Sequence, residues 1–180
     1  ISYGGFTFQP SDVFYNIIDY ITFASTGNSI DFGDMTVSAL ARAQCGSNTR
    51  GVAAGGLSNS STFRNNIDFI TIQSTGNATD FGDLNATVAG LAGASSSTRG
   101  TFAGGFTPTT VNTIDFITIA STGNATDFGD LTTANNGLAG VSNGSRGVFG
   151  GGSAPTIVNT IQFITIDTTG NATDFGDLTA

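Results

Sequence analysis

The side chains able to do chemistry in this chain are few and unevenly chosen. All thirteen acidic residues are Asp, all five basic residues are Arg, and His, Lys, Glu and Trp do not occur. The commonest general bases and amine nucleophiles are therefore missing, and histidine-dependent triads and His-rich zinc sites are excluded. What remains is oxygen chemistry. The run DFGD sets Asp80 and Asp83, Asp127 and Asp130, and Asp174 and Asp177 three residues apart, with Asn77, Asn124 or Asn171 just upstream. Such oxygens could face calcium, but there is no Glu for bidentate ligation and no EF-hand spacing. Asp and Asn also cap turns by bonding to backbone, and that is the role expected here. Cys45 is the single cysteine and is expected to be a small buried residue standing in for Ser. No catalytic residue, metal or cofactor is expected, and the chain is read as a non-enzyme.

These residues sit in a phrase that recurs four times. It reads IDYITFASTGNSIDFGDM from Ile18, IDFITIQSTGNATDFGDL from Ile67, IDFITIASTGNATDFGDL from Ile114 and IQFITIDTTGNATDFGDL from Ile161, with spacings of 49, 47 and 47 residues. A fixed period of this size marks a repeat architecture, in which each unit buries its apolar faces against its neighbours. Within Leu91–Leu131 the segments GLAGASS, TFAGG, TIDFITI and TDFGDL read as four short strands, separated by Gly- and Asn-rich turns. Both faces of TIDFITI are apolar, as expected of a sheet enclosed between two others. Met35–Gln44 is compatible with a helix, but its counterpart LTTANNGLAG is not. The fold class is all-β: one repeat domain over 1–180, with units of about 47 residues at 1–36, 37–85, 86–132 and 133–180. A β-propeller is expected, with a β-solenoid as the alternative. The segment ISYGGF matches the second strand of a unit, so the first unit has one strand fewer than the others. A longer natural chain, a partner strand or a three-stranded sheet would each account for this.

The formal net charge is −8 and no basic cluster exists, which argues against nucleic acid as a partner. The same charge disfavours anionic lipid, and no apolar run is long enough to insert in a membrane as a helix. The chain opens on Ile1, so a processed product is expected. Six N-x-S/T sequons occur, at Asn59, Asn77, Asn85, Asn124, Asn143 and Asn171. Three of them are the repeated TGNAT turn, and turn chemistry explains those.

The order of landmarks resembles the kelch repeat. Glycine pairs end the second strands at Gly4-Gly5, Gly55-Gly56, Gly104-Gly105 and Gly151-Gly152, and Phe32, Phe81, Phe128 and Phe175 stand where kelch strands carry Trp. The run TIDFITIASTGNATDFGDLT, followed by LAG, TRG and FGGG, is similar to repeats in bacteriophage tail-fibre and other virion structural proteins. The resemblance implies a structural or adhesive part of a phage particle, located on the virion or outside the cell. Its partners would be other copies of itself, other virion proteins, or a host-surface glycan or receptor. A carbohydrate-binding propeller outside a virus is the alternative.

Two sets of residues are singled out beyond the repeat. The loops after the glycine pairs differ most between copies, and variable loops on a repeated frame are where recognition is expected. The first is longest and aromatic, with Phe6, Phe8, Phe14 and Tyr15 as candidate ligand or subunit contacts. The third strand begins Ile-Asp at Asp19, Asp68 and Asp115, but Ile-Gln at Gln162. Each Asp is expected to pair with the TRG or SRG arginine of the following unit: Asp19 with Arg50, Asp68 with Arg99, Asp115 with Arg146. Gln162 would be uncharged because no such Arg follows it.

Overall fold

The structure is a computed structural model that describes residues 2–7, 13–59, 61–154 and 156–179. Among these residues there are seventeen strands and no helix. Met35–Gln44 is a loop leading into a strand, because its tertiary partner is an isolated bridge from Leu40 to Leu57.

The strands form one antiparallel sheet per stretch of chain. The first sheet contains β1 (Ser2–Thr7), β2 (Val13–Tyr20) and β3 (Ile30–Asp34), in that order. The second contains β4 (Ala43–Gly46), β5 (Arg50–Ala54), β6 (Asn66–Thr71) and β7 (Thr79–Asp83). The third is β8 (Ala92–Ser95), β9 (Arg99–Ala103), β12 (Thr113–Thr118) and β13 (Thr126–Asp130), with the small hairpin β10 (Phe106–Thr107) and β11 (Thr109–Thr110) in its loop. The fourth is β14 (Ala139–Ser142), β15 (Arg146–Gly150), β16 (Thr160–Thr165) and β17 (Thr173–Asp177). Among the described residues the first sheet is three-stranded, in keeping with the missing first-strand copy.

Three of the glycine pairs end their strands as expected, but Gly4-Gly5 lies inside β1, at a register shift in a ladder that continues to Thr7. Gly55 and Gly56 have φ of 67° and 115°, and Gly104 and Gly105 have φ of 66° and 119°. That geometry is cheap only for Gly. It turns the chain out of the sheet and lets Gly56 N donate to Val88 O and Gly105 N to Asn135 O in the following unit.

Each DFGD strand carries a β-bulge at its Phe. Ile67 faces Gly82 and Asp68 faces Asp80, so Phe81 is the extra residue; the same skip occurs at Phe32, Phe128 and Phe175. A bulge re-aims a side chain and sharpens the local twist. Here it stands the Phe edge-on against the aromatic ring of the preceding strand. Tyr20–Phe32, Phe69–Phe81, Phe116–Phe128 and Phe163–Phe175 centroids lie 5.8–6.0 Å apart at interplanar angles of 79–88°.

The apolar core is divided among the junctions between sheets. Ile18, Phe32 and Met35 of the first unit pack with Ala53 and Ile70 of the second. Val52, Ile67, Phe81 and Leu84 pack with Phe102, Ile117 and Ile119 of the third. Ala103, Ile114, Phe128 and Leu131 pack with Phe149, Ile164 and Ile166 of the fourth. The second and third sheets thus bury both faces against their neighbours in sequence, and the two apolar faces of TIDFITI serve two different junctions.

Candidate functional site

The residues kept most nearly identical between copies build a joint between units. The TGNAT turn of one unit seats on the DFGD strand of the unit before it. Gly76 N donates to Phe32 O and Ala78 N to Asp34 O; Gly123 N to Phe81 O and Ala125 N to Asp83 O; Gly170 N to Phe128 O and Ala172 N to Asp130 O. The Asn of the turn completes the joint by accepting from the Asp backbone. Asp34 N reaches Asn77 Oδ1 at 3.0 Å, Asp83 N reaches Asn124 Oδ1 at 3.1 Å and Asp130 N reaches Asn171 Oδ1 at 3.0 Å. The Gly of DFGD is required by this approach. A Cβ at Gly33 or Gly82 would stand 2.4 Å from the carbonyl oxygen of Gly76 or Gly123. The Asn oxygens considered for calcium are therefore engaged by backbone N–H groups, whereas the DFGD aspartates lie in strands and enter the joint through their backbone rather than by capping turns. Among the described residues no group of three or more His, Cys, Asp or Glu side chains converges.

The expected Asp–Arg pairs are not formed, although all six residues are described. Among the described residues the one ion pair joins Arg42 to Asp68, with Nη1 to Oδ2 at 2.7 Å and both side chains buried. Thr36 Oγ1 also donates to Asp68. Asp115 instead accepts from Asn85, from Nδ2 at 2.6 Å and from the backbone N at 3.1 Å. Gln162 Oε1 accepts from Thr132 N at 2.8 Å and Thr132 Oγ1 at 3.0 Å. The position is thus an acceptor turned toward the unit before it, and Gln fills it as well as Asp does. Burial raises the Asp115 carboxyl above its ordinary value, against the opposing effect of the Asn85 bonds.

The arginines point the other way, but to carbonyls. Arg50, Arg99 and Arg146 lie 4.3, 4.3 and 4.2 Å from the ring centroids of Phe69, Phe116 and Phe163 in their own sheets. Arg50 Nη1 then donates to Ile119 O at 2.8 Å and Arg99 Nη1 to Ile166 O at 3.0 Å in the next unit. The charge is kept over an aromatic face and needs no carboxylate. The sequence pattern could have suggested this stack, because each Arg lies directly across the sheet from the Thr two residues after that Phe (Arg50 from Thr71, Arg99 from Thr118).

The first variable segment is also more regular than expected. Phe6 pairs in register with Phe14 across a hairpin of β1 and β2, so these residues belong to strands. Phe14 is half-buried and Tyr15 is exposed, while Phe8 lies outside the described residues.

A cavity of about 670 Å³ opens between the first and second sheets. Its lining includes Tyr20, Phe23, Gln44, Cys45, Arg50 and Gln73. It lies on the side where the three-stranded sheet has no counterpart of β4. At the next junction β8 packs against β4, and Ile119 is buried, whereas the matching Ile72 lines the cavity. Cys45 corresponds in register to Ala94 and Val141, not to a Ser. Burial pushes its thiol up to about 12, which leaves it protonated and a poor nucleophile. The cavity can therefore offer rings, amides and a guanidinium to a polar ligand, but no general base of ordinary strength.

No protein-family model matches this chain, and no curated protein matches it.

Proposed function

We propose that this chain is a non-enzymatic structural or adhesive component of a phage particle, a tail fibre or other virion surface part, whose four kelch-like units are blades of a β-propeller. The observation that carries this reading is the joint: the most repeated residues are used to fasten each unit to the next. Sheets that pack in sequence, with β4 beside β8 and β8 beside β14, suit blades arranged about an axis. A frame of this kind holds its variable loops at fixed positions, which suits contact with neighbouring subunits or a host receptor. Its location would be the virion or the extracellular space.

The test is mass spectrometry of purified particles from the source phage. The chain should be found at a fixed ratio to the capsid protein after extensive washing. Its absence from particles, with recovery only from the host lysate, would overturn the virion role.

A second reading is a carbohydrate-binding propeller outside a virus. The cavity between the first two sheets favours it, because aromatic rings beside amides suit a sugar face and its hydroxyls. Saturable glycan binding that is lost in Phe23→Ala and Gln73→Ala, together with absence from particles, would select this reading.

A further inference from the structure

Every junction between units repeats one joint, and both halves of that joint also stand open on the outer sheets. The receiving half is the DFGD strand and the residue after it. Phe32, Phe81 and Phe128 are 5%, 2% and 3% exposed, but Phe175 is 55% exposed. Met35, Leu84 and Leu131 are each 3% exposed, but Leu178 is 46% exposed. A Cβ added at Gly33, Gly82 or Gly129 would strike the next unit's turn, yet at Gly176 it meets nothing within 4 Å. The inserting half is the turn and the strand that leads to it. Ile70, Ile117 and Ile164 are 2–3% exposed, while the matching Ile21 is 52% exposed. Phe23 occupies the place of the buried Ile119 and Ile166 and is 96% exposed. Gly27 and Asn28 retain the Gly-Asn pair of the inserting turns.

We infer that a second copy of this chain covers these faces, head to tail. The turn at residues 25–29 of one copy seats on β17 of another. Gly27 N donates to Phe175 O, Ser29 N donates to Asp177 O, and Asn28 Oδ1 accepts from Asp177 N, as at the three internal joints. Ile21 and Phe23 cover Phe175 and Leu178, as Ile117 and Ile119 cover Phe81 and Leu84. The two faces are built to one pattern, so each fits the other and neither fits itself. Large apolar side chains exposed together mark an interaction surface. The contact is heterologous, so it closes into a ring or extends as a filament. It depends only on inter-sheet geometry and not on a role in a virion.

Seating adds hydrogen bonds to the turn. Amides of residues 26–29 should therefore gain protection from exchange when copies join.

The experiment uses the 180-residue chain with two face variants, Phe23→Asp and Phe175→Asp. Leu178→Asp replaces the latter if circular dichroism shows that it fails to fold. By sedimentation at about 100 µM, the unaltered chain should have at least twice the 18.2 kDa chain mass and dissociate on dilution. Each variant alone should be monomeric, with association weakened about tenfold or more. Mixing the two variants should restore a two-chain species, because each retains the face the other lacks. Hydrogen exchange should then show protection at residues 26–29 and 175–178. A monomeric unaltered chain would overturn the inference, including one with residues 26–29 protected, which would mean that two faces of one chain meet. Self-association retained by both variants, or a mixture that stays monomeric, would overturn it too.

Discussion

Asp68, Asp115 and Gln162 occupy one buried position in three successive units, and they meet its demands differently. The position needs an acceptor facing the preceding unit, and the cost of supplying it with a charge depends on what stands nearby. Asp68 has Arg42, at a place where the later units carry Leu91 and Leu138. Arg42→Leu should leave a buried carboxylate unpaired and cost about 3–5 kcal/mol. Adding Asp68→Gln should recover most of that loss, as read by urea denaturation in a double-mutant cycle. Asp115 has no cation, and burial raises its carboxyl above the ordinary value. The folded state therefore holds this proton to higher pH than the unfolded chain. Stability from the site is fullest below the unfolded carboxyl range, about 3.9, and falls as pH rises through that range and the folded value. Copying the fourth unit, as Asp115→Gln with Asn85→Thr, should raise the melting temperature at pH 7 more than at pH 3. An equal change at both pH values would refute the assignment.

At the scale of elements, one bulged strand and one turn make each joint. Gly82 and Gly176 have nearly the same backbone, with φ of 143° and 138°, but differ in their surroundings. Replacing either by Ala strains the backbone by about 1–3 kcal/mol. Only at Gly82 does the new Cβ also collide with a carbonyl oxygen, that of Gly123. Gly82→Ala should thus be markedly more destabilising than Gly176→Ala in thermal melts of the two variants. Asn124→Ala should cost about 1 kcal/mol, because Asp83 N loses its acceptor at an exposed site that water can partly replace.

For the whole molecule, three junction cores take the place of one central core, so stability is a sum over neighbours. The second and third sheets have a neighbour on each side, and Val52, Ala54, Phe102 and Ala103 are fully buried or nearly so. Hydrogen exchange should be slowest in β5 and β9 and faster in β2 and β17 at a concentration where the chain is monomeric. Uniform protection across all four sheets would indicate one cooperative unit. The net charge of −8 opposes indiscriminate association.

Periodicity in the sequence determined the all-β class, the four-strand unit and the turns. These follow from local preferences: β-branched and aromatic runs pair as strands, and Gly-Gly or Thr-Gly-Asn cannot continue them. The turn role of the asparagines was legible for the same reason, whereas the DFGD aspartates lie in strands instead. The partners of the charged residues were not legible. Asp68 and Arg99 share a spacing, but whether they meet depends on which neighbouring sheet each side chain faces. Asp68 faces Thr36 of the unit before it and Arg99 faces Ile166 of the unit after it. The shift at each Phe bulge, the seat beneath each Gly and the cavity beside the first sheet likewise arise only when sheets pack. A repeat encodes its unit in local sequence, while its joints are contacts between residues more than forty positions apart, and the tertiary structure decides those.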